Sequence, residues 1–98
     1  MTFSIQKERI TATSSDGILM GYIAFPRVRP GLVNISQMMV FPSFRQQGVE
    51  DAMMEALFSH LDQQGLKAVL LCPFAQQYVE KNPKWKKILP GDIHFTKY

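Results

Sequence analysis

The chain has one cysteine, Cys72, in 98 residues, which excludes an internal disulfide framework and argues against cysteine-based zinc sites. It has two histidines, His60 and His94, and no cluster around either, so no metal site is expected. No apolar run approaches the roughly 20 residues of a membrane span. The start, Met1-Thr2-Phe3-Ser4-Ile5-Gln6-Lys7, lacks the apolar stretch of a secretion signal. These absences predict a cytoplasmic chain with no metal and no membrane partner. Net charge is only +3, too mild to demand a nucleic acid. No repeat, low-complexity tract or linker divides the sequence, so residues 1–98 read as one domain.

What is present is enough for a single modest core. Hydrophobic residues make up 46% of the chain, as in a folded globule and unlike a disordered segment. Residues 3–13 and 18–25 read as strands, separated by the turn signal Ser14-Ser15-Asp16-Gly17. The segment 26–31, with two prolines and a glycine, reads as a loop. Residues 32–41 form a third strand. Val49, Ala52, Met53, Ala56, Leu57, His60 and Leu61 then fall on one helical stripe, which ends at Gln64-Gly65. Residues 67–72 are nearly all apolar, as in a strand covered on both faces. Pro73 suits the first turn of a second helix, which stops before Asn82-Pro83. The order is β-β-β-α-β-α, an α/β (α+β) class chain with a mixed, mostly antiparallel sheet and a right-handed crossover.

The most informative stretch is Val40-Phe41-Pro42-Ser43-Phe44-Arg45-Gln46-Gln47-Gly48-Val49, where a strand ends and a helix opens. The first N–H groups of a helix have no internal partner and its dipole favours anions, so this junction can hold a phosphate or pyrophosphate. Gly48 permits close backbone approach and Arg45 adds a fixed positive charge. An ordinary strand-to-helix turn has the same appearance. The six lysines from Lys67 onward (Lys67, Lys81, Lys84, Lys86, Lys87, Lys97) stand against Glu80 and Asp92, a basic end able to meet phosphates or simply to face water.

The pattern V-x-P-x-x-R-x-x-G-V resembles the acetyl-CoA signature of the GNAT acetyltransferases. A second segment, from Cys72-Pro73-Phe74 through Lys81-Asn82-Pro83-Lys84-Trp85, resembles the signature of the small single-domain N-acetyltransferases of that superfamily. The two motifs occur in the family's order and spacing, and together cover nearly the whole chain. The resemblance implies a minimal GNAT fold whose third and fourth strands splay into a cofactor cleft. It implies acetyl-CoA as cofactor and a primary amine of unstated identity as acceptor. It assigns the pyrophosphate to Arg45, Gln46, Gln47, Gly48, Val49 and Glu50, and the pantetheine arm to the backbone at Met39 and Val40. Phe74, Lys81 and Asn82 fall near the cofactor by the same carry-over. Cys72 becomes either an acetyl-bearing nucleophile or a lining residue of the thioester pocket. Lys81 and Trp85 have a plainer reading too, as a helix end and a satellite core.

Departures from the family pattern also matter. Glu50 and Asp51 stand where a small residue usually follows the loop, and their charges would repel a pyrophosphate. Where the family often has His-Thr-Glu-Val, this chain has Gln37-Met38-Met39-Val40, which removes an obvious proton acceptor. A non-catalytic acyl-CoA-binding module is therefore a second reading. A small nucleic-acid-binding domain using the C-terminal lysines with Trp85 and Tyr98 is a third, though no strand interleaves aromatic and basic residues. His60 reads as a partly buried helix residue. A His94–Asp92 pairing is conceivable, and the chain is expected to be a monomer or weak dimer.

Overall fold

A computed structural model describes residues 1–91, so the proposed His94–Asp92 pairing, Lys97 and Tyr98 lie outside the described residues. Seven strands and two helices follow in the order β1 (Thr2–Ile5), β2 (Arg9–Thr13), β3 (Leu19–Ala24), β4 (Arg27–Arg29), β5 (Leu32–Ile35), β6 (Gln37–Val40), α1 (Val49–Gln63), β7 (Lys67–Leu70) and α2 (Pro73–Lys81). Single 3-10 segments occupy Pro42–Phe44 and Pro83–Ile88. The strands form two sheets, β1-β2-β3-β6 and β4-β5-β7, and only the β5–β7 pair is parallel. Among the described residues no helix is long and apolar enough to cross a membrane.

Three of the expected elements are subdivided, each for a visible reason. The first expected strand is a hairpin: Ile5 pairs with Ile10, and the Gln6 N–H closes the turn on the Arg9 carbonyl at 2.8 Å. That turn contains no glycine, proline or asparagine, so nothing in its composition marks it. The segment expected as a loop contains β4. Its prolines bracket the strand instead of interrupting it, and Pro30-Gly31 makes the two-residue turn into β5, with Gly31 at φ +82°. The third expected strand divides at Ser36. Its first half, β5, pairs with β7, while its second half, β6, pairs with β3.

The expected turn at Ser14–Gly17 forms, with the Ser14 hydroxyl oxygen accepting from the Ile18 N–H at 3.2 Å. Helix α1 begins and ends where its stripe does. Beyond its last residue, the Gly65 N–H reaches the Asp62 carbonyl (3.1 Å) and the Leu66 N–H reaches the Leu61 carbonyl (2.9 Å), so these terminal carbonyls are satisfied. The buried face is wider than the stripe: Met54 and Phe58 are buried with Val49, Met53, Leu57 and Leu61. Strand β7 is covered unequally on its two faces: Ala68 and Leu70 are buried, while Val69 is half-buried and Lys67 exposed. Helix α1 packs on β1, β2 and β3 of one sheet and on β7 of the other, and so ties the two together.

The second side of α1 is covered by α2 and the 3-10 segment after it. Phe58 stacks on Tyr78 (centroids 5.9 Å apart) and on Trp85 (5.8 Å). Glu55, one turn before Phe58, receives the Tyr78 hydroxyl and the Trp85 ring N–H (3.0 Å) on Oε1 and the Lys84 ammonium (3.0 Å) on Oε2. The Tyr78 bond, then the Trp85 bond, outweigh burial and hold the Glu55 carboxyl down at about 2. Burial, then the bond to Glu55, push the Tyr78 hydroxyl upward. Lys87 pairs with Asp62 (3.1 Å), and Lys84 and Lys87 both lie over the Trp85 ring.

A lowered carboxyl stabilises the fold above its ordinary value near 4.5 and loses that contribution as pH falls toward about 2. The emission of Trp85, the sole tryptophan, should therefore change over that acid range, and Glu55→Gln should remove the step. A second expectation concerns Gly21, which pairs with Val40: a Cβ there would lie 2.4 Å from the Met39 carbonyl oxygen. Gly21→Ala should lower stability in urea unfolding by about 1–3 kcal/mol, because backbone has to move to admit it.

Candidate functional site

The junction between β6 and α1 is built by two residues in left-handed conformation. After the 3-10 segment 42–44, Arg45 is extended, Gln46 has φ +63° and Gly48 has φ +78°. A Cβ at Gly48 would meet nothing within 4 Å, so conformation and not crowding requires the glycine. Gly48 is the N-cap of α1, and no side chain caps the helix; the first internal bond runs from the Ala52 N–H to the Gly48 carbonyl at 3.0 Å. The N–H groups of Val49, Glu50 and Asp51 thus have no intrahelical acceptor. The approach is open: Arg45, Gln46, Gln47 and Gly48 are exposed. Gln47 steadies the loop by donating to the Ser43 carbonyl at 3.1 Å.

Strand β6 is the outer strand of its sheet among the described residues. The Phe41 N–H donates to the Met20 carbonyl at 2.9 Å, so the alternation of an antiparallel pair turns the backbone of Met39 toward β3 and that of Met38 and Val40 outward. The Val40 carbonyl is taken by the Arg45 Nε at 3.2 Å, which fixes the loop to the strand end. The outward N–H groups are those of Met38 and Val40. The sequence places the arm along the backbone of Met39 and Val40; the register turns Met39 to β3 and leaves Met38 beside Val40 on the open edge.

Facing that edge is the parting of the sheets. The Ile35 carbonyl accepts two N–H groups, from Leu71 (3.1 Å) and Cys72 (3.0 Å), while the next N–H, of Ser36, turns to the Ala24 carbonyl (3.2 Å). Cys72 stands at this fork as the N-cap of α2, buried and with a free thiol. No side chain among the described residues hydrogen-bonds that thiol. Phe74, in the first turn of α2, is half-buried against the core. Gln76 is buried and caps the Leu70 carbonyl through Nε2 at 2.9 Å, closing the end of β7.

The structure therefore brings Met39, Val40 and residues 45–50 to one place, and Cys72 and Phe74 to the neighbouring fork. Lys81 and Asn82 lie at the other end of α2, roughly 14 Å along its axis at 1.5 Å per residue. Asn82 caps that helix end by donating from Nδ2 to the Tyr78 carbonyl at 2.9 Å, and Trp85 is buried in the main core, not in a satellite cluster. His60 is half-buried in the last turn of α1. Among the described residues no three His, Cys, Asp or Glu side chains are grouped to hold a metal.

Against this geometry, the sequence profile of the GCN5-related N-acetyltransferases matches residues 9–88. No curated protein matches the chain significantly. Among solved structures, a GCN5-like protein of Staphylococcus aureus determined in solution by NMR superposes with a TM-score of 0.72 at 20% identity, over 95% of this chain and 91% of that one. Ard1 of Thermoplasma volcanium superposes at 0.58 and 25% identity, over 65% of this chain and 43% of its own. The aminoglycoside N-acetyltransferase AAC(6')-Iy, solved with CoA, superposes at 0.52 and 17% identity, over 92% and 72%. These likenesses agree with the mixed α/β architecture, and the profile spans both the helix-opening loop and the fork. The chain belongs to the GCN5-related N-acetyltransferase family.

Proposed function

We propose that the chain is an acetyl-CoA-dependent N-acetyltransferase acting on a primary amine. The observation that carries the reading is a strand that leaves one sheet for the other beside a helix start with no side-chain cap. Those features fit an acyl-CoA: open N–H groups for phosphate, an unpaired strand edge for an amide-bearing arm, and a gap between strands for the thioester. In this reading Arg45 and the N–H groups from Gln46 to Glu50 hold the pyrophosphate, and the edge at Met38–Val40 meets the pantetheine arm. When bound, acetyl-CoA supplies an acetyl group activated as a thioester. The outward N–H groups of Met38 and Val40 donate where negative charge gathers on a carbonyl oxygen. Cys72, buried and without a basic partner, lines the pocket. Gln37 reaches the Tyr22 hydroxyl at 3.4 Å and makes the acceptor side polar without a histidine, so the amine has to arrive uncharged. The same Gln37-Met38-Met39 run favours the second reading, an acyl-CoA-binding module without transfer.

A titration with acetyl-CoA followed by amide NMR should move Gln46–Asp51 and Met38–Val40, and incubation with a mixture of primary amines should release CoA thiol. Absence of shifts at those residues sinks the cofactor assignment, whereas shifts with no thiol release for any amine select the binding-module reading. Glu50, half-buried in the first turn of α1, places a carboxylate near the proposed pyrophosphate. Glu50→Ala should tighten acetyl-CoA binding about three- to tenfold at low ionic strength and less at high salt, as expected of a partly screened like-charge repulsion. Unchanged or weaker binding at low salt would place the cofactor away from this turn.

A further inference from the structure

Two adjoining open depressions, of about 600 and 360 Å³, lie where the β1–β2 turn meets the ends of β3 and β4, and they share Lys7 and Glu8. The larger reaches Arg9, Ala24 and Ser36; the smaller reaches Arg27 and Arg29. Four cations thus surround one carboxylate. That carboxylate is already engaged, since Glu8 Oε2 accepts the Arg27 backbone N–H at 2.8 Å, while the Glu8 carbonyl accepts the Phe25 N–H at 2.9 Å. These two bonds tie the turn to the corner between β3 and β4 and give the depression a fixed wall. Arg9 is held over the Tyr22 ring at 4.4 Å, and the Tyr22 hydroxyl receives Gln37 Nε2. Lys7, Arg9 and Arg27 have no carboxylate side chain as partner of their own charges among the described residues. Ser36 is the residue next to Ile35, whose carbonyl holds Cys72 at the fork.

We infer that this basic depression seats an anionic group, a carboxylate or a phosphate, of the acceptor, so that the acceptor is an amine carrying negative charge. The inference rests on the acetyltransferase reading for the word acceptor, and on the depression alone for the anion. Cations lining an open approach attract such a group over roughly a Debye length of 8–10 Å. The volume suits a small ligand, and no aromatic among the described residues lines either depression, the ring of Tyr22 being covered by Arg9, which disfavours base stacking.

The test uses matched amines that differ only in the anionic group: phosphoethanolamine against ethanolamine, and 4-aminobutanoate against butylamine. In amide NMR titrations of the whole chain, the anionic members should give saturable shifts at Lys7–Arg9, Ala24 and Ser36, and the uncharged-tail members should not. Lys7→Gln with Arg9→Gln should weaken that binding by about tenfold or more, as loss of charged hydrogen-bond donors does. Lys86→Gln, which removes one charge from an exposed position elsewhere, should leave it within about twofold. Equal shifts from both members of a pair, indifference to the double substitution, or tighter binding of a short single-stranded oligonucleotide at the same amides would each overturn the inference. Acetyl-CoA is titrated in parallel. If it moves Gln46–Asp51 while the anionic amines move nothing, this inference alone falls. If the anionic amines bind and acetyl-CoA does not, the transferase reading falls and the anion site stands.

Discussion

Successive residues of a strand direct their N–H and carbonyl groups to alternate sides, and at Ile35–Ser36 those sides belong to different sheets. Ile35 gives its carbonyl to the segment after β7, and Ser36 gives its N–H to β3. Beyond that point β6 follows β3 and forms no ladder with β7, so among the described residues its outer edge is unpaired. The gap, the edge and the position of Cys72 all follow from this one division. Gly21 makes it possible from the other side, because β6 approaches β3 more closely there than a side chain would allow.

A sheet parted in this way needs something to hold the halves, and α1 does so by packing on both. The same helix supplies the uncapped N–H groups at its start, so the element that joins the sheets also forms the phosphate-ready turn. Its remaining side would be apolar and bare without α2 and the segment after it. Glu55 secures that cover: one carboxylate takes bonds from Tyr78, Trp85 and Lys84, while Phe58 stacks on both rings. A carboxylate with three donors is costly to leave half-satisfied, so the segment closes as a unit.

Both helices and their boundaries were legible in the residues, because 3.6-residue spacing, Gly48, Gly65 and Pro73 are local signals. The division at Ser36 was also written there, in a form that only pairing makes readable. Val33 and Ile35 face the core, and then Met38 packs on it and Val40 is buried in it. The inward positions therefore shift from odd to even across Ser36-Gln37, as an irregularity in a strand demands. The Gln6–Glu8 turn carried no such mark, and β4 was hidden by prolines that bracket it. At the candidate site, the loop from Arg45 to Glu50 was readable from composition. The outward facing of Met38 was not, since it depends on which neighbour claims Met39.

Charge shows the same gap between chain and fold. Counted along the sequence, the basic region is the lysine-rich end. In the structure Lys84 is paired with Glu55 and Lys87 with Asp62, so part of that end is neutralised against α1. The cations near β1, β2 and β4 lie among threonines, serines and apolar residues, and Glu8 alone stands with them in the two depressions. In the depressions Lys7, Arg9 and Arg27 keep charges that no described carboxylate side chain pairs, and Ser36 lies beside them. A ligand responds to the charge left after pairing, screened over its distance, and that charge stands on the β3 side of Ser36. The helix start lies at the other end of β6. The two anion-favouring surfaces of this small fold therefore lie at opposite ends of β6.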